Sequence, residues 1–216
     1  YPSYGPEMRG GTAVIRVDHK NINVIMGWYR ADLKLEVAIP KGYRGALTIG
    51  SVSASIQVPP GRTFTTLDVG SVSGRIDLGA FTADEFRGHT VSGDIQGNAS
   101  AKSANLSTTS GGIVFGGFTG DLTAHTVSGN VQLAWISFSG RVDIGTTSGD
   151  VNLGIPAGSG FRLATSSTSG RITTDHPVTV QGSSSGPGRR TLEGDVGSGA
   201  GSVKVRTVSG SITIGK

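Results

Sequence analysis

One phrase returns along most of the chain. It reads Ser51-Val52-Ser53-Ala54-Ser55-Ile56, Ser71-Val72-Ser73-Gly74-Arg75-Ile76, Thr90-Val91-Ser92-Gly93-Asp94-Ile95 and Thr108-Thr109-Ser110-Gly111-Gly112-Ile113. It continues as Thr126-Val127-Ser128-Gly129-Asn130-Val131, Thr146-Thr147-Ser148-Gly149-Asp150-Val151, Ser167-Thr168-Ser169-Gly170-Arg171-Ile172 and Thr207-Val208-Ser209-Gly210-Ser211-Ile212. From Ala54 to Gly170 the centres are 20, 19, 18, 18, 20 and 21 residues apart, and the last gap of 40 equals two periods. A degenerate copy at Gly194-Asp195-Val196 is expected to fill that gap. So short a period has no room for a helix and two strands, which leaves stacked all-β coils.

The columns around the motif glycine describe one coil. Seven and five residues before it stand Leu47/Ile49, Leu67/Val69, Phe86/Gly88, Ala104/Leu106, Leu122/Ala124, Val142/Ile144, Leu163/Thr165 and Val203/Val205. Alternation at period two marks inward positions of a strand. Two residues after the glycine every copy has Ile or Val, and four after it come Val58, Leu78, Gly97, Phe115, Leu133, Leu153, Thr174 and Ile214. Those positions predict a second short strand. The fold class is therefore an all-β, single-stranded parallel β-helix or β-solenoid of about eight to nine coils.

Between the two strands the apolar parity changes, which requires a bend at the Ser-Gly pair. Gly74, Gly93, Gly111, Gly129, Gly149, Gly170 and Gly210 suit that bend because glycine tolerates positive φ and close backbone approach. Whether the Ser column or the Val/Thr column before the glycine faces inward stays open at this point. Stacking also predicts charge ladders: Arg75 with Asp94 and Asp150 with Arg171 just after the glycine, Asp68 with Arg87 and Asp143 with Arg162 in the preceding strand. Exposed pairs of this kind help set register and stabilise weakly.

Gly is frequent, 36 of 216 residues, but regularly spaced Val, Ile and Leu argue for a packed core over disorder. The absence of cysteine removes disulfides, thiolate nucleophiles and Cys-based metal sites. A net charge of +4, without Arg/Lys runs, gives no footprint for nucleic acid. No run approaches the ~20 apolar residues of a membrane span, so direct membrane insertion by this stretch is not expected.

Outside the repeat, residues 1–11 read as a flexible tail. Residues 12–45 read as an N-terminal β cap over the open end of the solenoid, with a hairpin about Asp18–Asn21 and a strand through Leu33, Leu35, Val37 and Ile39. The solenoid is expected over 46–216, with a flexible loop at 182–190 whose paired Arg189 and Arg190 are candidates for contact with an anionic partner or, more simply, solvated loop residues. The last coil finishes at Ile214, two residues before Lys216, and nothing follows to cover it. A bare terminal coil exposes unpaired backbone and core edge, so Ile212 and Ile214 are expected to mediate self-association as a two-fold homodimer.

The phrase Thr-Val-Ser-Gly-Asp-Ile at this spacing, with a leading strand Leu33-Lys34-Leu35-Glu36-Val37-Ala38-Ile39-Pro40, resembles the bacterial adhesin-like family of β-strand-repeat domains of unknown function, over roughly residues 33–216. The resemblance implies a solenoid domain of envelope-associated or secreted proteins, acting in adhesion or surface contacts. It implies no catalytic residues and no cofactor.

Chemistry-bearing residues give little beside this. Gly182-Ser183-Ser184-Ser185-Gly186 matches a nucleophile-elbow pattern but lacks the strand-to-helix setting. His89 and His125 share a column four before the glycine, two coils or ~10 Å apart, too far for one metal ion without other ligands. The Asp18-His19 and Asp175-His176 neighbours fall in predicted turns, as solvated polar residues. Asp94 and Asp150 lie three coils apart, about 14 Å, beyond the ~5–9.5 Å of glycosidase carboxylate pairs. Trp28, Tyr29 and Trp135 are candidates for a sugar platform or, more simply, buried anchors. The reading is a non-catalytic, adhesin-like binding module for an unidentified surface ligand, protein or glycan. The alternatives are a self-assembling scaffold of the bactofilin type and, behind it, a polysaccharide-active β-helix enzyme.

Overall fold

The computed structural model describes residues 7–9, 12–15, 34–186 and 188–216, and the chain divides into two compact units, Tyr1–Ala38 and Ile39–Lys216. In the first unit β1 (Glu7–Arg9) pairs antiparallel with β2 (Thr12–Val14). Glu7–Arg9, expected within a tail, are thus strand residues. The hairpin expected about Asp18–Asn21, with Trp28 and Tyr29, lies outside the described residues. Residues 34–39 form no strand, and Leu35 and Val37 are exposed. Alternation yields a strand only where a neighbouring edge completes its hydrogen bonds, and among the described residues none pairs with this segment.

The second unit begins at Ile39, so residues 39–45 belong with the solenoid and not with a separate cap: Arg62 donates to the carbonyls of Ile39 and Pro40, and Thr65 N–H to that of Arg44. Its strands are β3 (Leu47–Ser51), β4 (Ile56–Val58), β5 (Arg62–Ser71), β6 (Ile76–Thr90), β7 (Ile95–Thr108), β8 (Ile113–Thr126), β9 (Val131–Trp135), β10 (Arg141–Thr146), β11 (Val151–Gly154), β12 (Phe161–Ser167), β13 (Ile172–Thr174), β14 (Val178–Gly186), β15 (Arg189–Val196), β16 (Gly201–Thr207) and β17 (Ile212–Gly215). They form a parallel β-solenoid of about six turns. In the middle coils one strand of 14 or 15 residues runs round the whole circuit, interrupted only at the motif.

The inward columns read from the sequence are the ones that stack. Leu47, Leu67, Phe86, Ala104, Leu122 and Val142 lie one above another in register, as do Ile56, Ile76, Ile95, Ile113, Val131 and Val151. Most are fully buried, and an edge-to-face aromatic series, Phe118, Trp135, Phe138, Phe161 and His176, continues the core at centroid spacings of 5.4 to 5.8 Å. Trp135 is therefore a core anchor and not a sugar platform. His176, expected to be solvated, closes the series, with Nε2 3.2 Å from the Gly215 carbonyl.

Beyond Gly154 the stacking leaves chain order. The next coil on β10 and β11 is not β12 and β13 but the C-terminal pair: β16 lies between β10 and β12, and β17 between β11 and β13. Motif counting put the C-terminal coil at the exposed end and so overestimated the run of consecutive turns. Ile212 and Ile214 are fully buried, with a parallel neighbour on each side. The premise for self-association through them, an uncovered terminal coil, is absent.

The far end is closed differently. β15 runs antiparallel on β12, and β14 antiparallel on β15. Residues 182–186 and 189–190, expected within a flexible loop, are strand residues of β14 and β15, and Gly194-Asp195-Val196, expected as a degenerate coil, lies in the return strand β15. An antiparallel return puts Asp195 beside Arg162 (3.3 Å) and Gln181 (2.6 Å), which a further parallel coil would not do. The Gly182–Gly186 segment therefore ends a strand that turns back into β15, not a nucleophile elbow.

Candidate ligand-binding groove

The site is built from the motif turn. Neither column left open by the sequence faces inward: the Ser residues and the Val/Thr residues before the glycine are both exposed. What turns in is the Ser or Thr three residues before the glycine, Ser71, Thr90, Thr108, Thr126, Thr146, Ser167 and Thr207. In Ser71, Thr90, Thr108, Thr126 and Ser167 the hydroxyl accepts the glycine N–H, at 2.8 Å from Gly74 to Ser71, 3.1 Å from Gly93 to Thr90 and 3.0 Å from Gly129 to Thr126. Several hydroxyls also donate to the glycine carbonyl of the adjacent coil, as Ser167 does to Gly210 at 2.9 Å. That pairing allows a polar column inside an apolar core.

The glycine requirement is now specific. A Cβ on Gly93, Gly111, Gly129, Gly149, Gly170 or Gly210 would overlap the carbonyl oxygen of the motif glycine in the neighbouring coil, and one on Gly74 that of Ala54. None of these glycines has a positive φ, so close approach is the whole reason. Ala54 fits because it supplies the first such carbonyl. At the other end the Gly170 carbonyl accepts the Arg190 guanidinium at 2.7 Å. Arg190 is thus a structural terminator of the ladder.

The charge ladders are partly as expected. Arg75 and Asp94 pair at 3.2 Å, and Asp94 also accepts the Gly112 N–H at 2.9 Å. Asp68 is in register with Arg87, but Arg87 turns to Glu85 in its own strand and Asp68 faces His89 at 3.8 Å. Threading separates the other two pairs. Ser211 takes the place next to Asp150 and donates its N–H there at 2.7 Å, while Asp143 faces Lys204 at 3.8 Å and Arg162 faces Asp195.

A groove runs along the corner where the outward face of the longer strands meets the motif turn. One bank is the column Ser107, His125, Gly145, Arg206 and Ser166. The other is the turn column Thr109, Val127, Thr147, Val208 and Thr168, held by a ladder of turn hydrogen bonds such as Ser148 N–H to Val127 and Ser209 N–H to Thr147. Arg189 enters from β15, and among the described residues no carboxylate lines the groove. His89 and His125 stand two coils apart with Ser107 between, as the column implied. A Cβ on Gly145 would lie 2.8 Å from His125 Nδ1, so the imidazole leans across the bare glycine toward the coil that holds Arg206.

His125, Arg189 and Arg206 are exposed, and among the described residues neither arginine forms an ion pair. The sequence marks Arg189 as a loop residue and a candidate contact for an anionic partner, whereas no sequence signal marks Arg206. In chain order the coil after Gly145 is the one that carries Ser166. Only threading brings Arg206 beside Gly145.

A ladder of short parallel coils around one apolar core, with its polar features on the sides, defines a β-solenoid repeat domain. The Toastrack DUF4097 family profile matches residues 5–215, and the chain belongs to that family of β-repeat domains of unknown function. No match was found among the curated proteins or among the solved structures.

Proposed function

We propose that this domain is a non-catalytic binding module that engages a surface ligand with its side, in an adhesin-like role at the cell envelope or outside the cell. The observation that carries this reading is the β14/β15 hairpin. An antiparallel pair at one end of the stack offers no template for the next parallel coil. Head-to-tail growth into a bactofilin-type filament needs both ends to be complementary, so the hairpin speaks against the scaffold alternative and leaves the lateral faces for contact. The corner groove is the most featured part of those faces.

Two measurements test the reading. Light scattering across concentration should give a small particle of constant mass, and arrays of glycans and envelope proteins should give a ligand whose binding is weakened by substitutions on the lateral faces. Concentration-dependent filaments, with no lateral ligand, would replace the reading by the scaffold one.

A further inference from the structure

The groove has a specific chemistry. Its basic side chains, His125, Arg189 and Arg206, converge from three separate parts of the chain, β8, β15 and β16, on a stretch of wall that Gly145 leaves without a side chain. Its other polar groups are hydroxyls, which both donate and accept hydrogen bonds. Carboxylates, abundant elsewhere on this surface as ladder partners, are absent from its lining. An arginine fork without a partner among the described residues, beside an imidazole and hydroxyl donors, fits an oxyanion.

We propose that this groove is the binding site of an anionic polysaccharide, with a sulfate or carboxylate seated over Gly145 between His125 and Arg206, and Arg189 holding a second acidic group. The proposal rests on the lateral-binding reading above and names its ligand class. Three observations favour a glycan over an acidic peptide. The strands that wall the groove are already paired on both sides, so an extended peptide finds no free backbone edge to extend. The lining has no deep apolar pocket for an anchoring side chain, its exposed apolar groups being the tips of Val127 and Val208. The groove crosses the coils, so its binding groups recur at ~4.8 Å, and His125 and Arg206 stand two coils or ~10 Å apart, about the span of a disaccharide in an extended chain. No aromatic side chain lines it, so neutral sugars lack the stacking surface that usually holds them.

The test compares dextran sulfate, polygalacturonate, uncharged dextran and poly-glutamate by calorimetry on the whole chain, with Arg206→Gln, Arg189→Gln, Gly145→Asp and, away from the groove, Arg87→Gln. Melting temperatures check that each variant is folded. At least one of the two acidic polysaccharides should bind, and the one preferred separates sulfate from carboxylate. Uncharged dextran should not bind. Arg206→Gln and Arg189→Gln should each weaken binding about tenfold, as loss of one charge-assisted hydrogen bond does. Gly145→Asp should weaken it further by setting a carboxylate in the anion's seat, while Arg87→Gln should change it less than about twofold. Should the groove variants bind as the parent does, poly-glutamate bind as tightly as the polysaccharides, or neither acidic polysaccharide bind, the proposal is overturned. A neutral-glycan or protein ligand on the arrays would leave the lateral-binding reading standing without it, whereas filaments with no lateral ligand would remove both.

Discussion

Up to Gly154 each coil is laid on the one made just before it; beyond that point the same motif is stacked out of chain order. In the first region sequence neighbours are spatial neighbours. In the second, Gly210 packs on Gly149 and Gly170 packs on Gly210, while β14 and β15 leave the parallel ladder to cover the end. The hydrogen bonds and packing within each coil are alike in both regions. The repeat thus specifies how any two copies fit together, and it does not specify which two meet.

The comparison is broken most severely by charge at the inserted coil. Ile212→Lys with Ile214→Lys places two ammonium groups at fully buried, doubly flanked positions, and should cost more than ~5 kcal/mol, enough to unfold the threaded end. Denaturant titration measures it. Were the coil an exposed end, the same pair of changes would be mild and the Ile212 amide, which donates to the Arg171 carbonyl, would exchange quickly with solvent.

Next in size is the glycine ladder. Gly129→Val drives a side chain into the Gly111 carbonyl and should lower stability by about 3 kcal/mol or more. Ala54→Val, exposed at the first copy, should cost less than ~1 kcal/mol. Equal thermal shifts for the two would remove close approach as the reason for glycine.

The hydroxyl column gives a smaller contrast. Thr126→Val removes the acceptor of the buried Gly129 N–H and should cost about 1–3 kcal/mol. Thr146 Oγ1 is buried without a partner, so Thr146→Val should leave stability nearly unchanged. Paired unfolding curves decide whether the column is uniform.

The smallest effect discriminates the two regions most directly. Double-mutant cycles should find coupling of a few tenths of a kcal/mol to ~1 between Arg75 and Asp94, adjacent and exposed. Between Asp150 and Arg171, with Ser211 interposed, coupling should be close to zero. Coupling of the same size in both pairs would contradict the threaded order.

The inward strand columns were legible because period-two alternation survives in nearly every copy, and the glycine because the bend needed it. The hydroxyl column is present in the sequence too, since every copy has Ser or Thr three before its centre, but a Ser also stands beside that centre in every copy, so residue type does not tell the buried hydroxyl from the exposed one. Threading was not legible. The apolar columns are so alike that Val142 accepts Val203 or Leu163 above it with equal geometry, and the 40-residue gap matched two periods by coincidence of length. A Ser-Gly-Pro-Gly turn between Val178-Thr179-Val180 and Thr191-Leu192 was a hairpin signal in that gap. The groove followed the threading: its Arg206 stands beside Gly145 only because of it, and no local pattern marks either residue.

The inserted coil also determines how the molecule resists a pull. A strand at the rim of a stack can be peeled away one hydrogen bond after another, each failing under the full load. β17 is gripped from both sides along its length, so tension on the C-terminus directed along the strand must shear two ladders at once, with the load shared among all their bonds. Traction applied there would meet its greatest resistance at the start and then fail abruptly, releasing β17 from β11 and β13 together. A domain held by such a tether would behave as a mechanical latch.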